Sequence, residues 1–309
     1  MPNKYPIALA HGIARFDAFR QRILDFFENL QIFVSKDDDN AHYFRHIASH
    51  LKANGIEVRH TNVQFAASVK ERAAKLKEEI ENKFFNVDQP PMKVHIIAHS
   101  MGGLDARYMI ANLGIADKIA SLTTIGTPHH GTSLADKGIA FVEKNAGKDF
   151  LEVFKLEGFA DLTTAACEKF NVENEAKEAS NNVFYQVYAS FEQKDLIFEP
   201  WQKSWQIIRD CQGVGGGDND GLVPIGSQLW KPFLLKEDGA PKTIIQNFFP
   251  FPADHLNQIG WFEKNEFRSL THFTLNPIKL ARFALDYERK VRDVYLQIAK
   301  TVQALDDDN

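Results

Sequence analysis

The stretch Lys93 to Asn112, K-V-H-I-I-A-H-S-M-G-G-L-D-A-R-Y-M-I-A-N, constrains the fold more tightly than any other part of this chain. Val94 to Ala98 is dominated by β-branched residues and predicts a strand, and Leu104 to Asn112 predicts a helix ended by Gly114. Ser100 lies between them. A side chain on a sharp strand-to-helix turn is presented outward on a strained backbone, and such a turn accepts only small residues two positions away on either side. Ala98 and Gly102 meet that demand, so the stretch reads as a nucleophile elbow with Ala in place of the first Gly of G-x-S-x-G. The helix N-terminus behind Ser100 adds partial positive charge where an oxyanion would form. A buried serine in an ordinary strand-helix connection has the same local pattern, so the rest of the chain must decide.

A chain of 309 residues is long enough for one large core, and a single domain over residues 1–309 is the expectation. With 44% hydrophobic and 25% charged residues the composition is that of an ordinary globule, but the 25 phenylalanines exceed what such a globule needs and invite an apolar pocket. A net charge of −5, with Lys and Arg alternating with acids along helices, offers no basic field for nucleic acid. No apolar run reaches transmembrane length, and M-P-N-K-Y-P-I-A-L-A-H-G enters a strand without a signal-peptide core. A cytoplasmic location is therefore expected for the chain as written, unless it is a mature or trimmed form. Cys167 and Cys211 are expected to be free thiols.

Along the chain, Tyr5 to Ala10 reads as a buried strand followed by the turn His11-Gly12-Ile13-Ala14, where Gly allows close approach of a ligand. Phe16 to Val34 reads as a helix broken by the acidic run Lys36 to Asn40, which lacks the alternating oxygen spacing of a calcium loop. A helix over His42 to Ala53 and a strand over Ile56 to Val63 follow. His42, His46 and His50 fall at i, i+4 and i+8, but no acid or cysteine completes a metal set, and no metal ligand is assigned. Val69, Ala73, Leu76, Ile80 and Phe84 mark an amphipathic helix that should cover the sheet. After the elbow, Ser121 to Ile125 is a strand ending in G-T-P-H-H-G. The alternation of strand and helix predicts a mostly parallel sheet with helices on both faces and ligands at the carboxyl ends of the strands, where His11-Gly12, Ser100 and His129 would meet.

Residues 134–182 break that rhythm as a helical cap, either a mobile lid for a lipid interface or a fixed packed subdomain. Val183 to Ser190 returns as a strand. A loop rich in Trp and charge follows, then Gly213 to Leu222, a strand over Lys242 to Phe249, a loop around His255 and a closing helix over Pro277 to Ala304.

In the α/β-hydrolase arrangement the triad follows the order Ser, acid, His. Only His255 and His272 among the 11 histidines lie far enough along the chain. His255 is favoured because it follows the last strand in a loop stiffened by Pro250 and Pro252. Asp195, Asp210, Asp218, Asp220 and Asp238 are the available acids; Asp220, fixed by the Asp-Gly turn, leads and Asp218 is the runner-up. His255 would take the Ser100 proton while Asp220 holds the imidazole, with the N–H groups of Ile13 and Met101 as the oxyanion hole.

These stretches resemble the bacterial triacylglycerol lipases, the true lipases of the α/β-hydrolase superfamily. The resemblance is carried by A-H-G-I-A-R-F-D, Y-F-R-H-I-A-S-H-L-K-A-N-G, I-I-A-H-S-M-G-G-L-D-A-R-Y, S-L-T-T-I-G-T-P-H-H-G-T-S-L-A-D, D-L-T-T-A-A-C-E-K-F-N, V-F-Y-Q-V-Y-A-S, N-D-G-L-V-P and D-H-L-N-Q-I-G, in family order from about residue 6 to 260. It implies an α/β-hydrolase fold, the triad Ser100, Asp220 and His255, and oxyanion donors at Ile13 and Met101. Members of that family are usually exported, and many carry a disulfide and a structural calcium near the catalytic His. Here Cys211 precedes the Asp220 turn, where the family's bonded cysteine follows it. Asn257 stands where an Asp ligand is expected, which argues against the structural calcium, and no cofactor is expected to be required. Trp261 to Phe273 reads as added length at the rim.

The expected function is lipase-type hydrolysis of acylglycerol-like esters through an acyl-enzyme on Ser100, with Phe150, Phe154 and Phe159 of the cap contacting the acyl chain and a lipid-water interface as one place where the substrate would be met. The alternatives are a short-chain esterase or acyltransferase, separable by chain-length preference and transfer to alcohol, and a hydrolase-fold binding protein without turnover.

Overall fold

Short apolar runs buried on both faces, Ile7–Ala10, Val94–His99 and Ile119–Ile125, form the centre of the sheet. The computed structural model describes residues 4–13, 42–64, 67–144, 157–262 and 277–308. Its strands are β1 Ile7–Ala10, β2 Val58–His60, β3 Val94–His99, β4 Ile119–Ile125, β5 Phe184–Ala189, β6 Phe233–Leu235, β7 Pro241–Thr243 and β8 Ile245–Phe248. Six of them form one sheet in the order β2-β1-β3-β4-β5-β8, with every neighbouring pair parallel. Ala10 pairs with Ala98, His99 with Ile125 and Ile125 with Tyr188. The residues after these strands therefore leave the sheet along one edge.

The helices are α1 Ile47–Ala53, α2 Val69–Ile80 with a π turn at Glu81–Phe85, α3 Met101–Asn112, α4 Ser133–Lys144, α5 Glu157–Ala160, α6 Thr164–Ser180, α7 Gln202–Arg209, α8 Ile225–Gln228 and α9 Pro277–Ala304. α2 is started by a capping box, with Ser68 and Glu71 each bonding the other's backbone N–H. Alternation along each strand divides the core. Ile7, Leu9 and Ile97 face Phe44, Ile47, Leu51, Tyr295 and Ile298 on the α1 and α9 side. Ala8, Ala10, Ile96 and Ala98 face Ala73, Leu76, Ala106 and Met109 on the α2 and α3 side. A third cluster, with Val69, Met101, Leu104, Leu134, Phe159, Leu162 and Ile208, lies between the elbow and the cap helices, with Ile13 and Leu222 packed on it.

At the other end of the sheet the last turn of the described chain reaches β3. Asp306 Oδ1 lies 3.0 Å from the buried His95 Nε2, and Asp306 Oδ2 accepts from Tyr5 N at 2.9 Å. Gln303 and Lys4 add bonds between the same segments.

Some expectations are corrected. The elbow helix begins at Met101, immediately after Ser100, because the turn needs no spacer residues. The stretch Lys242 to Phe249 is two strands, not one: β7 pairs antiparallel with β6, the chain is pinned where Ile244 N donates to Pro232 O, and only β8 joins the main sheet. The Trp-rich segment expected as a loop contains α7. Within the cap, α4, α5 and α6 are helical. Residues 145–156, with Phe150 and Phe154, lie outside the described residues, as do the expected helix Phe16 to Val34, the acidic run from Lys36 to Asn40 and His272. Among the described residues no helix is long and apolar enough to cross a membrane.

Candidate active site

Ser100 has φ 57 and ψ −137, a conformation sparsely populated by residues with a Cβ and one that holds of order 1–3 kcal/mol of backbone strain. The neighbouring structure over-determines it. Ser100 N donates to Ile125 O at 2.9 Å, and Ser100 O accepts from Gly103 N at 3.0 Å and Thr127 Oγ1 at 2.8 Å. Gly102 must lack a side chain, since a Cβ there would stand 2.7 Å from the carbonyl oxygens of Ala10 and His11.

Asp220 is fully buried and held from four directions. Its Oδ1 accepts from Leu222 N at 3.0 Å and Val223 N at 2.8 Å, which is the Asp-Gly turn expected from sequence. Its Oδ2 accepts from Gln258 Nε2 at 2.9 Å and lies 2.7 Å from His255 Nδ1. The backbones are tied as well, His255 N donating to Asp220 O at 2.9 Å. With Nδ1 committed to Asp220, the other ring nitrogen of His255 is left to take a proton. His99, the residue before Ser100, has its ring tilted at 47° to that of His255 with centroids 4.4 Å apart, and Trp201 presents an edge-to-face ring at 6.2 Å. Asp218 is exposed and paired with Arg209, away from His255. Asp195 and Asp238 are exposed, as is Asp210, which accepts from Gln206.

The turn after β1 comes against the serine: a Cβ on Gly12 would lie 2.9 Å from Ser100 Oγ. Met101 is buried at the start of α3 and Ile13 packs half-buried in the third cluster. The turn is set from behind by Arg72, whose Nη2 donates to His11 O at 2.9 Å and whose Nε donates to Asp105 Oδ2 at 2.9 Å. Burial pushes the Asp105 carboxyl up to about 6, against the pull of Arg72. Burial, with Arg72 second, holds His11 down at about 4, so its neutral Nε2 accepts from Val63 N at 3.1 Å. Phe159 is buried against the same cluster as Met101, and a Cβ on the adjacent Gly158 would stand 2.9 Å from Met101 Cε.

His129 leaves the sheet at the same edge but turns into the interior. Its Nδ1 faces Arg107 at 3.1 Å and Nε2 lies 2.9 Å from Thr124 Oγ1. The histidine stripe does not converge: His46 and His50 each face an acid of α9, Glu288 and Asp293, at 3.4 Å, while His42 stacks on His60. Nor does Asn257 fit a calcium cage, because its Oδ1 accepts from Asp254 N and its Nδ2 donates to Trp261 O, closing its own turn. Among the described residues no group of His, Cys, Asp and Glu could hold a metal ion. Cys167 and Cys211 are free, each with its thiol on a backbone carbonyl.

Sequence reasoning missed Gln258, His99, Tyr43, Arg72 and Asp105. A signal existed for Gln258, which follows His255 by one helical turn and so faces the same way.

A family model described as the PGAP1-like alpha/beta domain matches residues 21–155. Triacylglycerol lipase 2 of Saccharomyces cerevisiae is 29% identical over 294 residues, covering 85% of this chain and 82% of the yeast protein. A triacylglycerol lipase of Pseudomonas fragi is 32% identical over 148 residues, but this match covers only 47% of the chain and 42% of that lipase. The crystal structure of Staphylococcus hyicus lipase superposes with a TM-score of 0.58 at 18% identity, covering 97% of each chain. The parallel sheet with its elbow is the α/β-hydrolase fold, and over most of its length the chain is similar to a triacylglycerol lipase.

Proposed function

We propose that this chain hydrolyses acylglycerol-like esters through an acyl-enzyme on Ser100. The single observation that carries the reading is the buried pair His255 Nδ1–Asp220 Oδ2 at 2.7 Å, beside a serine held at positive φ on a strand-to-helix turn. The Ser100 hydroxyl attacks the ester carbonyl as His255 Nε2 takes its proton, and the imidazolium is steadied by Asp220. The negative charge on the former carbonyl oxygen is met by the N–H groups of Met101 and Ile13, one such donor being worth on the order of 3 kcal/mol in the transition state. His255 then returns the proton to the leaving alcohol. A water, deprotonated by the same nitrogen, attacks the acyl-Ser100 carbonyl, and the acid leaves with Ser100 re-protonated.

The acyl chain is read as lying along the third cluster, with Phe159 as a wall; the yeast and bacterial relatives named as triacylglycerol lipases support a lipid ester as substrate. The test is fatty-acid release from emulsified triolein and from tributyrin below and above its solubility limit, with Ser100→Ala as control. Triolein turnover with a rise in tributyrin rate at the interface is expected. Activity confined to dissolved tributyrin would make the protein a short-chain esterase with a fixed cap, and activity surviving in Ser100→Ala would sink the assignment.

A further inference from the structure

A polar chain runs from the turn at Gly12 to Asp220. The Tyr43 hydroxyl lies 2.7 Å from His99 Nδ1, His99 Nε2 lies 3.0 Å from Gln258 Oε1, and Gln258 Nε2 donates to Asp220 Oδ2 at 2.9 Å. Chemistry allows one proton arrangement. The Gln258 amide must turn its NH2 to the carboxylate, so its carbonyl oxygen accepts from His99 Nε2–H. His99 Nδ1 is then an acceptor and takes the Tyr43 O–H. Burial, helped by nearby His255, keeps His99 well below its ordinary pKa and hence neutral, and burial raises the Tyr43 phenol, so both protons stay where the chain needs them. Beyond His99 the Tyr43 oxygen is hydrogen-bonded by the backbone of Gly12.

The fold reserves space for this amide. Gly126 has φ 57, and a Cβ there would collide with Gln258 Oε1 and stand 3.3 Å from His255 Nδ1. Gln258 itself is pinned through its backbone, its N–H donating to Asp254 O at 3.1 Å and its carbonyl accepting from Tyr295 Oη at 3.0 Å. We propose that Gln258 is a positioning residue whose amide locks Asp220 against His255 and, through His99 and Tyr43, ties that pair to the oxyanion turn. The proton-handling and charge-stabilising halves of the site thereby share one register. The inference rests on the reading of Ser100, Asp220 and His255 as the triad.

The test is steady-state kinetics on dissolved p-nitrophenyl butyrate for Gln258→Leu, Gln258→Glu, Tyr43→Phe and the pair Tyr43→Phe/Gln258→Leu. Gln258→Leu is expected to lower kcat by roughly ten- to a hundredfold with KM within about twofold, since orientation and not ground-state binding is lost. Tyr43→Phe should cost about three- to tenfold alone and much less in the Gln258→Leu background, because the chain is already cut. Gln258→Glu should work while its carboxyl is protonated and able to donate to Asp220, then fail as pH rises. The titratable groups facing that position are Asp220, His255, His99, Asp254 and Tyr295. Unchanged kcat in Gln258→Leu, or losses that simply multiply in the pair, would overturn the proposal. Should Gln258→Leu not fold, a Gln258→Glu pH profile that overlays the wild type would do the same. Ser100→Ala separates the two layers: an active Ser100→Ala removes the triad reading, whereas an inactive one beside a fully active Gln258→Leu removes only the role of Gln258.

Discussion

Arg72 and Arg107 are both fully buried beside a buried carboxylate, yet their remaining hydrogen bonds go to different kinds of acceptor. Arg72, on α2, pairs with Asp105 and donates to the backbone carbonyls of His11 and Gln64, which belong to segments without helix or strand structure. Arg107, on α3, pairs with Glu178 and donates to the side chains of Asn171 and His129, with its guanidinium 3.8 Å from the Trp230 ring centroid. One buried cation shapes a turn that no regular secondary structure holds. The other clamps the elbow helix to α6, joining elements that already have regular hydrogen bonds. Equal burial therefore does not mean equal purpose: the first should register in turnover and the second in stability.

The sharpest way to break the comparison is Arg107→Met. It strands Glu178 in the interior, and removing one partner of a buried pair costs about 3–5 kcal/mol. Thermal unfolding should show that loss, while kcat per folded molecule stays within about twofold; a stable variant with reduced kcat would reverse the roles assigned to the two arginines.

Acid should strike both sides. His11, beside Arg72, is held down at about 4, and His129, beside Arg107, is also lowered, in both cases first by burial. A histidine whose folded pKa lies below its unfolded value binds fewer protons when folded, so stability falls as pH drops below about 6.5. For His11 alone the loss by pH 4 is roughly 3 kcal/mol. Urea midpoints measured between pH 7 and pH 4 check this, and an unchanged midpoint would refute it.

Arg72→Met should lower kcat by about ten- to a hundredfold by releasing His11 O and the turn beneath Ile13. Its stability cost should be smaller than that of Arg107→Met, because burial has already carried the Asp105 carboxyl to about 6 and lets it protonate once alone. Adding Asp105→Leu sharpens the point: stability should return, since an apolar pair can replace a buried ion pair, while kcat should not. Recovery of both would mean that the turn does not depend on Arg72. The smallest effect is expected from Thr127→Val, which removes a neutral donor to Ser100 O and should cost about 1 kcal/mol in unfolding free energy.

Much of the architecture was legible because it rests on local rules. The elbow, the alternating strands and the Asp-Gly turn at Asp220 are each written in a few neighbouring residues, and chain order alone reduced the histidines to His255 and His272. What was not legible depends on meetings across the chain. Nothing near Tyr43 or His99 announces Gln258, and Gly126 shows its need to be Gly only once the amide facing it is in place. The split of β7 from β8 was hidden for a related reason: a continuous apolar run carries no mark of which sheet will claim each half.

The bond between Asp306 and His95 has a consequence in time. β3, the strand that delivers Ser100, is gripped at its opposite end by a residue 211 positions further along the chain. Contacts so far apart in sequence exact their loop entropy before they return any stabilisation, and topologies rich in them fold slowly. During synthesis the sheet can assemble its central strands early, but the base of β3 stays unlatched until α9 and the turn after it have emerged and docked. Maturation of the nucleophile's own strand thus waits on a segment made long after it.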